Sequence, residues 1–156
     1  MQIRFISFYG LVFFCLSACN STRNYQATSA TYLGNDHIKY KKPDYDTAKK
    51  TILIIADNDG TEMFDMMAPF YLFSATGKAN VYIVAAKKSR VIVKRGLVIL
   101  PHYSFAEVDS LHMNVDLMVV PNQSGNPKKV TVDFIKKHYT GENKILSVCD
   151  GSATVA

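Results

Sequence analysis

From residue 51 onward, short and uninterrupted apolar runs alternate with segments of helical periodicity. The runs are rich in Val and Ile and carry few polar side chains. Such runs are typical of strands that are buried on both faces of a parallel sheet. The predicted buried strands are Thr51–Ala56, Val81–Ala86, Val115–Pro121 and Lys144–Val148.

Helices are predicted between these strands. The first runs from Glu62 to about Ala75, with Thr61 as its N-cap and with Pro69 expected to break or kink it. Further short elements are predicted as follows: strands at Val91–Val93 and Gly96–Pro101, and helices at Ser104–Leu111 and from Pro127 to Gly141.

This order of elements predicts an α/β fold with right-handed crossovers. In open α/β sheets, ligands bind beyond the carboxyl ends of the strands. Two positions with candidate chemistry fall there: the segment Asp57–Asp65, and Cys149.

The N-terminal segment has the pattern of a targeting signal. Arg4 is followed by the apolar run Phe5–Leu16, which is too short to span a bilayer of about 30 Å. The run Leu16-Ser17-Ala18-Cys19 then resembles the bacterial lipobox, in which the cysteine is acylated after cleavage. We therefore expect a signal peptide at 1–18 and a lipid anchor at Cys19, which would hold the protein to a membrane of a bacterial cell envelope. A plain signal peptide is the alternative.

Residues 19–50 are polar, and their apolar residues follow neither a helical nor a strand periodicity. This segment therefore predicts a tether between the anchor and a folded domain at 51–156. Lysines in this tether could meet anionic lipid, although a soluble spacer is the simpler reading.

The composition excludes several classes of protein. With 48% hydrophobic and 20% charged residues, the chain is not disordered over most of its length, and 3 cysteines do not make a disulfide scaffold. The net charge of +5 is spread over many segments, so no basic stripe predicts nucleic-acid binding. We expect neither a metal nor a cofactor. A homodimer stays open.

Cys149 ends an apolar run and precedes Asp150, Gly151 and Ser152. A nucleophile on a tight strand-to-helix turn has the elbow geometry of several α/β enzymes. Amide N–H groups at the start of the following helix would favour the thiolate and could stabilise an oxyanion. A buried, inert cysteine is the alternative.

A reactive cysteine needs a proton partner. None of the four histidines is well placed, and His138 should lie at the opposite edge of the sheet. Carboxylates after the first strand lie at the correct edge. Among these we choose Asp65, which sits inside the apolar run Met63–Met67, so burial should raise its pKa. A solvent-facing acid is the alternative.

These residues resemble a known family. The segment Asp59–Ser74 resembles the first loop and helix of the ThiJ/PfpI superfamily, which is glutamine-amidotransferase-like, and Ser147–Ala153 resembles its elbow. The pattern around Asp65 is most similar to the isonitrile-hydratase-like branch, shared by the amidase-like halves of some regulators. The resemblance implies a flavodoxin-like three-layer sandwich with a mostly parallel sheet. It also implies that Cys149 is the nucleophile and Asp65 the acid that orients and protonates.

Three departures accompany the resemblance. Asn122–Gln123 stands where the family usually has Gly-Gly, so Gln123 takes the position whose backbone amide faces the cysteine. Asp150, whose amide would be the second oxyanion donor, puts a carboxylate beside the thiol. The family also continues beyond the elbow, so we expect the domain to be incomplete at its C-terminus.

Two functions follow. The first is a lipid-anchored hydrolase or hydratase that attacks a small electrophile, such as an isonitrile or an amide, through Cys149. The alternative is a non-catalytic domain of the same fold that binds a ligand or senses redox state. Whether the chain is an enzyme stays open at this point. A transcription regulator is disfavoured by the export signal.

Overall fold

The computed structural model describes residues 43–156. The predicted signal peptide, Cys19 and most of the predicted tether lie outside the described residues. The elements in chain order are β1 (Lys50–Ala56), α1 (Met63–Ala75), β2 (Ala79–Ala85), β3 (Val91–Val93), β4 (Leu97–Ile99), β5 (Tyr103–Ser104), α2 (Phe105–Ser110), β6 (Leu117–Val120), α3 (Lys129–His138), β7 (Lys144–Ser147) and, after a 3₁₀ turn at Cys149–Gly151, α4 (Ser152–Val155).

Five strands form one parallel sheet in the order β5-β2-β1-β6-β7. β3 and β4 form a separate antiparallel hairpin. The predicted α/β fold with a parallel sheet is therefore confirmed. The chain order reverses at β1, whose two neighbours are β2 and β6, and ligands bind at such a reversal in doubly wound sheets.

Side chains on the two faces of the sheet form two separate cores. On one face, α2 and α3 pack against β1, β2 and β6, with Phe105 stacked on Phe134 at a centroid distance of 4.0 Å. On the other face, α1 and the β3–β4 hairpin cover the same strands, and Met66 is fully buried between them. This arrangement is a three-layer sandwich, as the sequence predicts.

The prediction that β7 is buried on both faces is wrong. β7 is the edge of the sheet, and its residues alternate between exposed and half-buried. Leu146, which the apolar pattern places in the core, is 42% exposed. Apolarity alone does not distinguish a central strand from an edge strand that is covered on one face only.

The predicted N-cap of α1 and the predicted break at Pro69 are also wrong. Its N-cap is Glu62, whose Oε2 accepts a hydrogen bond from the Asp65 amide at 3.0 Å, and not Thr61. The helix also runs through Pro69 without a break. The apolar face that packs on the sheet around Met66 compensates for the backbone hydrogen bond that proline cannot form.

The last residues of the predicted tether contact the domain. The amide of Asp46 donates to Oδ1 of Asn80 at 3.1 Å, and Nδ2 of Asn80 donates to the Asp46 carbonyl at 2.7 Å. Lys50 pairs with Asp116 at the same end of the sheet. Within residues 43–156, no helix has the length and apolarity that crossing a membrane requires.

Candidate functional site

The loop after β1 is held between two other segments. The Thr61 amide donates to the Ile92 carbonyl at 2.9 Å, and the Lys94 amide donates to the Thr61 carbonyl at 2.9 Å. On the other side, the Glu62 amide donates to the Asn122 carbonyl at 2.9 Å. The start of α1 is thus fixed against the segment that follows β6.

Thr61 holds the turn itself rather than capping the helix. Its Oγ1 accepts from the Asp57 amide at 2.8 Å and donates to the Asp57 carbonyl at 3.1 Å. This closed turn leaves Glu62 as the residue that meets the first helical amides, which explains the shifted N-cap.

Asp65, in the first turn of α1, reaches the end of β6. Its Oδ2 accepts a hydrogen bond from the Asn122 amide at 3.3 Å. Burial raises the pKa of Asp65 above 3.8, the Asn122 N–H lowers it, and the Glu62 carboxylate raises it further. The half-buried side chain therefore has the raised pKa that the sequence predicts.

Cys149 occupies a strained elbow. Its φ is +54°, a left-handed conformation that a residue with a side chain adopts at a cost of about 1–3 kcal/mol. The thiol is exposed. The turn is tight because Gly151 lies directly on the end of β6: a Cβ at Gly151 would stand 2.0 Å from the Val120 carbonyl oxygen.

The two predicted catalytic residues lie at the same edge of the sheet. β6 and β7 are parallel neighbours, and Val120 pairs with Ser147. Asn122, which binds Asp65, and Cys149 each come two residues after these paired positions. Within the described part of the chain, no hydrogen bond joins Asp65 to Cys149 directly.

The two predicted oxyanion residues are placed differently from one another. Asp150 is exposed in the 3₁₀ turn beside Cys149. The side chain of Gln123 is buried, and its Nε2 donates to the Ile55 carbonyl at 3.1 Å. This side chain therefore turns into the domain.

Among residues 43–156, His138 does not join this site. His138 pairs with Asp109 at 2.8 Å, and the carbonyl of His138 accepts from Asn143, which lies just before β7. His138 therefore lies at the opposite edge, as predicted. Across the same residues, no cluster of three or more His, Cys, Asp or Glu side chains could hold a metal ion.

A charged cluster at the end of β1 was not predicted. Nζ of Lys128 donates to Oδ1 of Asp57 at 2.8 Å and also contacts Asp59. Lys128 lies 71 positions from Asp57 in sequence, so no local pattern connects them. The available signal was topological: Lys128 precedes the helix after β6, and the loops after β1 and β6 meet at one edge.

The family model described as "DJ-1/PfpI family" matches residues 49–156. No protein with a curated description matches the chain.

Solved structures share the fold. Drosophila melanogaster DJ-1beta matches with a TM-score of 0.60 and 21% identity, covering 69% of this chain and 59% of that one. A mutant of a DJ-1 superfamily protein from Salmonella typhimurium matches with a TM-score of 0.59 and 14% identity, covering 68% and 58%. Schizosaccharomyces pombe DJ-1 matches with a TM-score of 0.55 and 18% identity, covering 67% and 60%. The chain thus spans about three-fifths of the length of these structures.

Proposed function

The chain belongs to the DJ-1/PfpI family, and from its site we propose a lipid-anchored domain that attacks a small electrophile through Cys149. The substrate class is an isonitrile or a small amide, in line with the resemblance of the α1 segment to the isonitrile-hydratase-like and amidase-like branch. Asp65 is the acid of the reaction. The protein would act in a bacterial cell envelope, held to a membrane by acylated Cys19.

The observation that carries the proposal is the backbone of Cys149. A positive φ at a residue with a side chain costs free energy, and the surrounding structure must impose it. Here the imposing contact is Gly151 against the Val120 carbonyl. The result is an exposed thiol at the carboxyl edge of the sheet, which is the geometry of a nucleophile elbow.

Asp65 supplies the proton in this proposal. Because burial raises its pKa, a larger fraction of the carboxyl is protonated than in an exposed aspartate. The Cys149 thiolate adds to the electrophilic carbon and forms a C–S bond. With an isonitrile, that same carbon takes the proton from Asp65 and a thioimidate results; with an amide, the nitrogen takes the proton and leaves as ammonia or an amine when the C–N bond breaks, and a thioester results. Water then adds to the carbon and gives one proton back to the Asp65 carboxylate, the C–S bond breaks to return the thiolate, and the product is the formamide (whose nitrogen takes the other proton of the water) or the carboxylic acid.

A second candidate is a non-catalytic domain that binds a ligand or senses oxidants through Cys149. It is favoured by the exposed Asp150 carboxylate beside the thiol. A negative charge next to Cys149 opposes formation of the thiolate.

Turnover assays distinguish the two candidates. The purified full chain would be incubated with a panel of alkyl isonitriles and primary amides, and formamide or carboxylate products would be measured. We expect turnover that Cys149→Ser abolishes, that Asp65→Asn lowers by about 10²-fold or more, and that Asp133→Asn on the exposed side of α3 leaves unchanged. Turnover that survives Cys149→Ser would exclude the proposed nucleophile. A chain without turnover that binds the same compounds would support the second candidate.

A further inference from the structure

Glu62 and Asp65 lie about one helical turn apart at the start of α1. The Oε2 atom of Glu62 accepts a hydrogen bond from the Asp65 amide at 3.0 Å, so the Glu62 side chain folds back over the first turn of the helix. Both side chains are half-buried. Glu62 therefore does more than begin the helix, because its carboxylate is held beside the residue that we propose as the acid.

A ring of three hydrogen bonds fixes the two carboxyl groups relative to one another. The Glu62 amide donates to the Asn122 carbonyl at 2.9 Å. The Asn122 amide donates to Oδ2 of Asp65 at 3.3 Å, and the Asp65 amide donates back to Oε2 of Glu62 at 3.0 Å. The ring joins the first turn of α1 to the segment after β6, so it sets the orientation of Asp65 from two sides.

This ring also determines which oxygen of Asp65 carries the proton. Oδ2 accepts from the Asn122 amide, and a hydrogen bond of this kind favours the ionised oxygen over the protonated one. The proton of the acid therefore lies on Oδ1, which takes no part in the ring. A proton on one oxygen of fixed orientation suits a general acid, because proton transfer requires hydrogen-bond reach in a defined direction.

Charged groups from two elements face Asp65. Burial is the largest cause of its raised pKa, and the Asn122 N–H lowers that pKa. The Glu62 carboxylate raises the pKa of Asp65 through like charge and through a side-chain hydrogen bond. The Lys94 ammonium, in the turn of the β3–β4 hairpin, lowers it. Glu62 is thus the charged group that keeps the proton on Asp65, and Lys94 opposes it.

We propose that Glu62 is a positioning residue of the reaction, whose carboxylate orients Asp65 and keeps the proton on the oxygen that donates it. This inference rests on the proposed function, because Glu62 acts through Asp65 and not on the substrate. When Asp65 gives its proton to the substrate, two like charges face each other across the first turn of α1. Their repulsion favours the return of a proton from water to Asp65.

The first test measures the titration of the Asp65 carboxyl by ¹³C NMR in the full chain in a mild detergent, with the signal assigned from Asp65→Asn. Glu62→Gln removes the charge but keeps an oxygen that can accept from the Asp65 amide. The midpoint of Asp65 should move to lower pH in Glu62→Gln and to higher pH in Lys94→Met. Asp59→Asn is the matched control, since the exposed Asp59 lies in the same loop but pairs with Lys128, and it should leave the midpoint unchanged. An unchanged midpoint in Glu62→Gln would overturn the inference.

The second test follows turnover of an alkyl isonitrile against pH. The reaction needs the Cys149 thiolate together with protonated Asp65. A thiol ordinarily ionises near pH 8.5 and a carboxyl near pH 4, so turnover is level between the two midpoints, and its level is proportional to the fraction of molecules in that form. Glu62→Gln should lower this level by about threefold or more and extend it to lower pH.

Two further variants separate this role from that of a helix cap. Glu62→Asp keeps both the charge and a capping oxygen, so it should restore the pH profile of the wild type. Glu62→Ala loses both, so its Tm should fall and its profile should move as in Glu62→Gln. Lower turnover in Glu62→Ala and Glu62→Gln with the acid limb of the wild type would mean that Glu62 acts only as a cap, and would overturn the inference.

The two tests also separate this inference from the proposed function. A lower Asp65 midpoint in Glu62→Gln, in a protein that turns over neither isonitriles nor amides, would reject the substrate class and support the effect of Glu62 on Asp65. Turnover by the wild type, with the same Asp65 midpoint in Glu62→Gln, would reject the role of Glu62 and support the proposed function.

Discussion

The backbone amide of Asn122 donates a hydrogen bond to Oδ2 of Asp65 across 3.3 Å and so joins the start of α1 to the end of β6. Asn122, two residues after β6, thereby positions the proposed acid through its backbone, whatever its side chain. A backbone contact of this kind explains how Asn122, at a position where the resemblance implies a glycine, still holds Asp65 at the edge where Cys149 lies.

The raised pKa of Asp65 predicts a stability effect that depends on pH. In the folded state the Asp65 carboxyl keeps its proton above pH 3.8, whereas in the unfolded chain the carboxyl loses its proton near that pH. Between the unfolded pKa and the raised folded pKa, the folded state holds more protons than the unfolded chain, so the free energy of unfolding falls as the pH rises through this window. An asparagine does not titrate, so Asp65→Asn lacks this pH-dependent fall in the free energy of unfolding. Its gain in Tm over the wild-type protein should therefore be larger at pH 7 than at pH 4.

Asp109→Asn is the matched control with the opposite sign. Burial alone would raise the pKa of Asp109, but hydrogen bonds from Lys137 and His138 lower it. Its contribution to stability is present above the unfolded pKa and is lost as the pH falls through the folded value. Asp109→Asn should therefore lower Tm at pH 7 and lose this effect in acid. A gain for Asp65→Asn that is equal at both pH values would contradict the assignment.

The sequence predicts the sheet and the two catalytic candidates because each has a local signal. β1 and β2 lie among the central strands, so every residue after the first in each strand is buried. Asp65 is conspicuous as an acid inside an apolar run, and Cys149 as a thiol on a glycine turn. Both signals follow from a few adjacent residues.

Features that depend on distant residues were missed. β5 has two residues, Tyr103 and Ser104, and it is a strand only because it pairs with β2. Thr61 is a good N-cap by type, but its hydroxyl is already bonded to Asp57. Lys128 pairs with the same Asp57 through tertiary contact. In each case a partner far along the chain decides the outcome, and periodicity does not report such a partner.

Gly151→Ala should damage both the fold and the elbow. The new Cβ would meet the Val120 carbonyl oxygen at 2.0 Å, and that carbonyl also accepts from the Val148 amide at 2.9 Å, so neither side can yield freely. We expect a loss of about 2–3 kcal/mol in the free energy of unfolding, measured in urea, because forced overpacking has that cost. Alkylation of Cys149 by iodoacetamide should also change in rate.

Ser152→Ala serves as the control for that experiment, since Ser152 is exposed at the start of α4 and its hydroxyl makes only a long hydrogen bond, of 3.4 Å, to the Cys149 carbonyl. Its change should stay within about 0.5 kcal/mol. If Gly151→Ala behaves like Ser152→Ala, the contact with Val120 does not fix the elbow.

The anchor hypothesis is tested on the two N-terminal cysteines. Cys19 follows the lipobox-like residues, whereas Cys15 lies in the apolar run that signal cleavage would remove. Radiolabelled palmitate should enter the wild-type protein and Cys15→Ser in a bacterial host, and should not enter Cys19→Ser. The wild-type protein should also fractionate with membranes. Label in Cys19→Ser, or none in the wild type, would refute acylation at Cys19.

Lys128→Ala should destabilise the domain more than the substitution Lys129→Ala does. Removing Lys128 leaves the buried Asp57 carboxylate without its ion pair, and breaking a fully buried pair costs about 3–5 kcal/mol. Since the Lys128 side chain is 32% exposed, water can reach part of the site, and we expect about 1–3 kcal/mol in urea unfolding. Lys129→Ala, whose partner Asp133 is exposed, should cost less than about 1 kcal/mol. A double-mutant cycle with Asp57→Ala should give a coupling of about 1 kcal/mol or more. A coupling near zero would show that Asp57 does not depend on Lys128.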